Sequence, residues 1–97
     1  MNLAQLRQYK PQIQAFARQY RIDPDSIRVF GSVARGMEHE GSDVDLLIRL
    51  LPEADLFDLS GFNYEINELL GTHVDTAPDE SLYPQIATAI ADDVTYL

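Results

Sequence analysis

Three aspartates and a glycine–serine turn are the residues of this sequence best suited to chemistry. Asp43 and Asp45 flank Val44 at the head of the apolar run Val44-Asp45-Leu46-Leu47-Ile48. On a strand, alternate side chains share a face, so the two carboxylates are neighbours, their Cα atoms about 6.5–7 Å apart on ideal geometry. Val44, Leu46 and Ile48 then point the other way, into a core. Two like charges at the head of a buried strand repel each other and resist desolvation. A divalent cation between them removes both objections, and oxygen-only ligands favour Mg2+ or Mn2+. Asp75, beside apolar Val74 on a third candidate strand, is the candidate third ligand. If that strand pairs beside the second, three carboxylates meet on one face and suit two metals about 3.5–4 Å apart. Such a site acidifies an attacking hydroxyl and neutralises a leaving pyrophosphate, and Asp75 is placed to accept the nucleophile's proton. An Asp-x-Asp pair by itself is more often a solvated strand end; the neighbouring motifs argue otherwise here.

The upstream motif is Val29-Phe30-Gly31-Ser32-Val33-Ala34-Arg35-Gly36. Gly31 has no side chain, so backbone there can approach a phosphate closely. Ser32 stands where a strand gives way to a helical turn, with a hydroxyl and backbone N–H groups able to donate to the β- and γ-phosphates. Arg35 is placed to bring positive charge to the triphosphate or to a partner. No Gly-Lys-Ser/Thr follows, so this is not a Walker A loop. Taken alone, the pair reads as a plain strand-to-helix turn. His39 and His73 are too far apart for a zinc signature; His39 reads as a surface residue and His73 as the edge of a strand. Glu65 and Glu68 read as solvated helix positions, and Tyr83 and Tyr96 as packing residues.

The elements that must position these groups follow from periodicity. Leu3, Leu6, Ile13, Phe16, Ala17 and Tyr20 recur at helical spacing, with Pro11 fitting a first turn, so a short helix to about Tyr9 and a second from Pro11 to Tyr20 are expected. Ser26–Phe30 reads as a strand ended by Gly31, and positions 36–42 as a polar loop. Val44–Leu51 reads as a strand buried on both faces. Leu56, Leu59, Phe62, Ile66, Leu69 and Leu70 give a helix capped by Gly71, weakened in its middle by Ser60-Gly61. Thr72–Ala77 is a third strand, stopped by Pro78. Pro84 opens a last helix through Ile86, Ala87 and Ile90, and Val94–Leu97 can add an edge strand. The expected class is α/β (α+β), a small mixed sheet packed against helices, in one domain spanning 1–97.

Composition narrows the substrate. Seven basic residues, all before position 50, oppose sixteen acidic ones, for a net charge of −9. A protein that grips a nucleic-acid backbone carries a basic footprint, so polynucleotide is not the expected substrate. An acidic surface suits a basic protein partner. There is no cysteine, hence neither disulfide nor thiolate metal site. No signal peptide or bilayer-spanning run is expected, which makes cytoplasmic the default location.

Together, Gly31-Ser32-x-Ala34-Arg35-Gly36, Ser42-Asp43-Val44-Asp45-Leu46-Leu47-Ile48 and Val74-Asp75 resemble the minimal nucleotidyltransferases of the DNA polymerase β superfamily, and the similarity extends to Glu68-Leu69-Leu70-Gly71 and the closing Val94–Leu97. The resemblance implies a palm-like nucleotidyltransferase fold. It implies Asp43, Asp45 and Asp75 as metal ligands and catalytic carboxylates, Gly31 and Ser32 on the nucleotide phosphates, Mg2+ as cofactor and ATP as substrate. It further implies an antitoxin role beside a HEPN ribonuclease toxin, silenced by transfer of AMP to one of its tyrosines. Thr76-Ala77 departs from the apolar residues that more often follow the third aspartate. Competing expectations are an antitoxin that masks its toxin by binding alone, and a small-molecule nucleotidyltransferase of the aminoglycoside type, which the lack of an extra acceptor domain disfavours.

Overall fold

Asn2 begins the chain's first helix by a reciprocal cap: its side chain accepts from the Gln5 N–H at 2.8 Å, and Gln5 accepts from the Asn2 N–H at 2.9 Å, satisfying donors that the first turn cannot. This helix, α1 (Leu3–Arg7), gives way to α2 (Lys10–Gln19), with Pro11 in its first turn, where no N–H is needed. There follow β1 (Arg28–Phe30), α3 (Ser32–Arg35), β2 (Val44–Ile48), α4 (Leu56–Leu70), β3 (Val74–Pro78) and β4 (Thr95–Tyr96). The computed structural model describes residues 1–36, 43–79 and 94–97, leaving aside the side chains of Ser32 and Arg35. Ser42, His39, Tyr83, most of the polar loop and the helix expected from Pro84 through Ile86, Ala87 and Ile90 lie outside the described residues.

The strands form a mixed sheet in the order β3-β2-β1-β4. β1 runs antiparallel to both β2 and β4, and β2 runs parallel to β3. The closing edge strand, a weak signal in the sequence, is therefore present and pairs with β1. The expected strands are shorter than their apolar runs. Beyond Ile48 the chain leaves the sheet and makes only a single bridge, Leu50 to Ile22. Pro78 ends β3 from within, as its last residue.

One face of the sheet and the helices share the core. Val29, Val44, Leu46, Ile48 and Val74 are buried against Leu6, Ile13, Ala17, Phe62, Ile66 and Leu70. This is the alternation expected of β2, with Asp45 on the opposite face. α4 is capped by an Asp55–Asp58 reciprocal pair and ends at Gly71 in the left-handed conformation, φ 64°, which glycine adopts without strain. Gly61 does not interrupt α4. A Cβ there would run into the Tyr20 ring, reaching Cδ1 at 2.8 Å, so close packing on α2 accounts for a glycine that costs about 1 kcal/mol of helix propensity.

The far end of the sheet is tied by arginines. Arg49, just past β2, pairs with Asp23 at 2.5 Å, and Arg28 pairs with Asp79 at 2.7 Å while lying 5.8 Å from the Tyr96 ring centre. The Ser26 hydroxyl, buried, donates to the Asp23 carbonyl and accepts from the Arg49 N–H.

Candidate active site

The parallel register of β2 and β3 decides which carboxylates meet. Val44 lies opposite Val74 and Asp45 opposite Asp75, so the two aspartates are side by side on the face turned away from the core. Val44 donates its N–H to the His73 carbonyl at 3.0 Å, which sets Asp43 beside His73 one step earlier. Asp43, His73 and Asp75 each offer a ligand atom, and these atoms lie within 4.8 Å of one another. Asp43, Asp45 and Asp75, separated by up to 32 positions in sequence, thus converge at one end of two adjacent strands, as the pairing of the third strand beside the second requires.

Gly31 belongs to the same place. Its neighbour Phe30 pairs with Asp45 across β1 and β2. Gly31 itself has φ 77°, and a Cβ built on it would lie 2.5 Å from Asp45 Oδ2. The glycine is needed twice: for the turn into α3, and because the Asp45 carboxylate fills the space a side chain would take. The glycine–serine turn and the Asp-x-Asp pair are therefore one site. Ser32 and Arg35 are the first and last residues of α3, which starts at that turn.

Burial raises the Asp45 carboxyl above its ordinary value, and the charges of Asp75 and Asp43 push it further, with His73 pulling the other way. A bound cation would relieve this crowding of carboxylates. The atoms within ligating distance of one another are those of Asp43, His73 and Asp75; Asp45 stands opposite Asp75 in register but outside that group, and the carboxylate oxygens suit a divalent ion of the Mg2+ or Mn2+ class. His73 adds a nitrogen. Its Nε2 lies 3.0 Å from Asp75 Oδ1, within hydrogen-bonding distance, both side chains being exposed.

His73 is the residue that sequence reasoning placed at a strand edge without a task. A signal for it existed: His73-x-Asp75 repeats the spacing of Asp43-x-Asp45, and a parallel pair in register puts the two couples side by side.

A fold of this topology, with a glycine turn packed onto an aspartate pair and a third aspartate on the neighbouring parallel strand, defines a nucleotidyl-transfer domain. The chain belongs to the nucleotidyltransferase domain family, whose model matches residues 10–97. It is 35% identical over 77 residues to the protein adenylyltransferase MntA of Thermococcus cleftensis, covering 79% of this chain and 78% of that protein. A Methanocaldococcus jannaschii chain, provisionally named a protein adenylyltransferase, is 35% identical over 65 residues, 67% of this chain and 70% of that one. Among solved structures, a chain provisionally described as a minimal nucleotidyltransferase superposes with a TM-score of 0.85 at 30% identity, covering 100% of this chain and 97% of that one. A toxin–antitoxin crystal structure with AMP-PNP shares the fold, with a TM-score of 0.73 at 18% identity, over 90% of this chain and 70% of that one. Among the described residues no helix is long and apolar enough to cross a membrane.

Proposed function

We propose that this protein is a protein adenylyltransferase that acts as an antitoxin, transferring AMP from ATP to a tyrosine of a partner toxin of the HEPN ribonuclease class. The observation that carries this reading is the side-by-side register of Asp45 and Asp75, with Asp43 adjacent and Gly31 against Asp45. The names of the relatives, the toxin–antitoxin neighbour of the same fold and the net charge of −9 support a basic protein, not a polynucleotide, as acceptor.

In this reading Asp43, Asp45 and Asp75 hold divalent cation, Mg2+ or Mn2+, in one or two sites. The bound cation supplies charge neutralisation on the triphosphate and lowers the pKa of the attacking hydroxyl. The α3 turn, with Gly31 and Ser32, receives the β- and γ-phosphates, and Arg35 adds positive charge beside them. Asp75 takes the proton of the tyrosine hydroxyl as its oxygen bonds to the α-phosphorus. The bond from that phosphorus to the bridging oxygen breaks, and pyrophosphate leaves. His73, within hydrogen-bonding distance of one oxygen of Asp75, leaves the other free for the cation or proton.

The test is to seek a small helical HEPN protein encoded in the neighbouring gene and to incubate the two together with α-phosphate-labelled ATP and Mg2+. The label is expected on a partner tyrosine, and no transfer is expected from the Asp43→Ala, Asp45→Ala double variant. Absence of label on the partner, or equal transfer by the double variant, overturns the enzymatic reading. A double variant that still neutralises the toxin in cells assigns the antitoxin effect to masking by binding.

A further inference from the structure

Asp75 sits on β3, which is the edge of the sheet among the described strands. On an edge strand every second residue turns its backbone N–H and C=O away from the sheet, with no strand to receive them. His73 spends its carbonyl on Val44, so Val74 is the residue that turns outward. Its two polar groups are met by one side chain. Val74 donates its N–H to Asn67 Oδ1 at 2.9 Å, and Asn67 Nδ2 donates to the Val74 carbonyl at 3.1 Å. The same Nδ2 donates to the Asn63 carbonyl at 2.7 Å, one turn back on α4, which fixes the rotamer of the amide. Asn63 in turn accepts from Thr76 Oγ1 at 2.8 Å.

We propose that Asn67 is a positioning residue for Asp75, its amide meeting the groups that β3 turns away from the described sheet and locking the register of β3 on β2. The inference rests on the cation-binding role assigned to Asp75 above. An asparagine amide has the donor and acceptor of a peptide group side by side, so it alone among residues of its size meets both outward groups of Val74. The clip holds positions 74 and 76 toward α4, and alternation then directs Asp75, between them, to the face it shares with Asp45. A slip of β3 by one residue would send Asp75 into the core and Val74 out of it. Thr76-Ala77, the departure from an apolar pair in the sequence, thereby acquires a structural purpose: Thr76 supplies the hydroxyl for Asn63.

Variants are chosen so that lost position and lost stability separate. Asn67→Asp keeps the shape and the acceptor but sets an oxygen against two carbonyls. Asn67→Leu keeps the bulk and loses all three side-chain bonds. Ile66→Val, a neighbouring buried position in the core, lowers stability while leaving the Asn67 hydrogen bonds in place. Mn2+ binding to the full chain, with a non-hydrolysable ATP analogue present, is followed by water-proton relaxation below each variant's unfolding midpoint. Both Asn67 variants are expected to weaken Mn2+ binding about 10-fold, the scale for partners that orient a ligand, and Asp75→Ala to weaken it at least as much. Ile66→Val is expected to bind as wild type. Should Asn67→Asp not fold, Asn63→Ala, which removes only the Thr76 bond, is expected to give a smaller loss of the same kind. Wild-type binding by the folded Asn67 variants, or an equal loss in Ile66→Val, overturns the positioning role. Wild-type binding by Asp75→Ala instead removes the ligand assignment on which the proposal stands.

Discussion

The two ends of β2 treat the same residue type in opposite ways. Past its C-terminal end, Asp23 accepts from Arg49 and from the Asp25 N–H, and Asp79 lies against Arg28; Arg49's hydrogen bond holds the Asp23 carboxyl below its ordinary value. At its N-terminal end, Asp43, Asp45 and Asp75 gather with His73, and among the described side chains, Arg35's being left aside, no arginine reaches them. There Asp45 is pushed up by burial and by its own neighbours. One end spends its carboxylates on holding β1, β2 and the preceding loop together. The other crowds its carboxylates together, which raises the Asp45 carboxyl and is the arrangement expected of a site that takes a cation rather than of a structural ion pair.

The comparison is broken most severely by removing the crowded end. Asp45→Asn is expected to lower AMP transfer about 10³-fold, the loss that several kcal/mol of charge stabilisation represents. In metal-free buffer the same variant is expected to unfold at a higher temperature than wild type, because like-charge repulsion is relieved. Transfer kinetics and thermal unfolding of one preparation check both halves. Gly31→Ala is the next largest change. A side chain at φ 77° that also meets Asp45 Oδ2 is expected to cost about 1–3 kcal/mol, with ~4–8 °C lost from the unfolding midpoint per kcal/mol in a domain of this size. Transfer should fall as well, since Asp45 must move.

Acid titration sharpens the contrast through its signs. Asp45 has a folded pKa above its unfolded one, so its contribution favours folding at low pH and is lost as pH rises through the folded value. Asp23 has a folded pKa below its unfolded one, so its contribution is present at neutral pH and is lost as pH falls through that lower value. In metal-free denaturant titrations, Asp45→Asn is therefore expected to exceed wild type at pH 7 and converge on it as the acid range is entered. Asp23→Asn is expected to fall below wild type at pH 7 and converge only at more acid pH. The second difference is the smaller, because the Asp23–Arg49 pair lies at the surface with Arg49 more than half exposed, where ion pairs contribute little.

Much of this was legible in the chain because the signals are local. The apolar runs, Pro11, Gly71 and the Asp-x-Asp spacing each act over a few residues, and the described helices and strands they mark lie near where periodicity puts them, the first two strands being shorter than expected. What stayed hidden depends on contacts between distant segments. Gly61 looks like a weak point in α4 until Tyr20 of the preceding helical pair is set against it. Gly31 reads as an opening for phosphate, while its second reason, the Asp45 carboxylate, requires the β1–β2 pairing. The His73-x-Asp75 spacing gains meaning only from the parallel register, and Asn67, which carries no motif, gains its own from the place of β3 at the edge of the described strands.

The central claim is that the N-terminal end of β2 and β3 holds divalent cation. Its most direct test is thermal unfolding with and without saturating Mn2+ in the presence of a non-hydrolysable ATP analogue, on wild type and on the Asp43→Asn, Asp45→Asn double variant. A ligand that binds only the folded state raises its midpoint, so Mn2+ should raise the wild-type midpoint by several degrees and leave the double variant unmoved. An equal rise in both proteins, or none in wild type, would contradict the account.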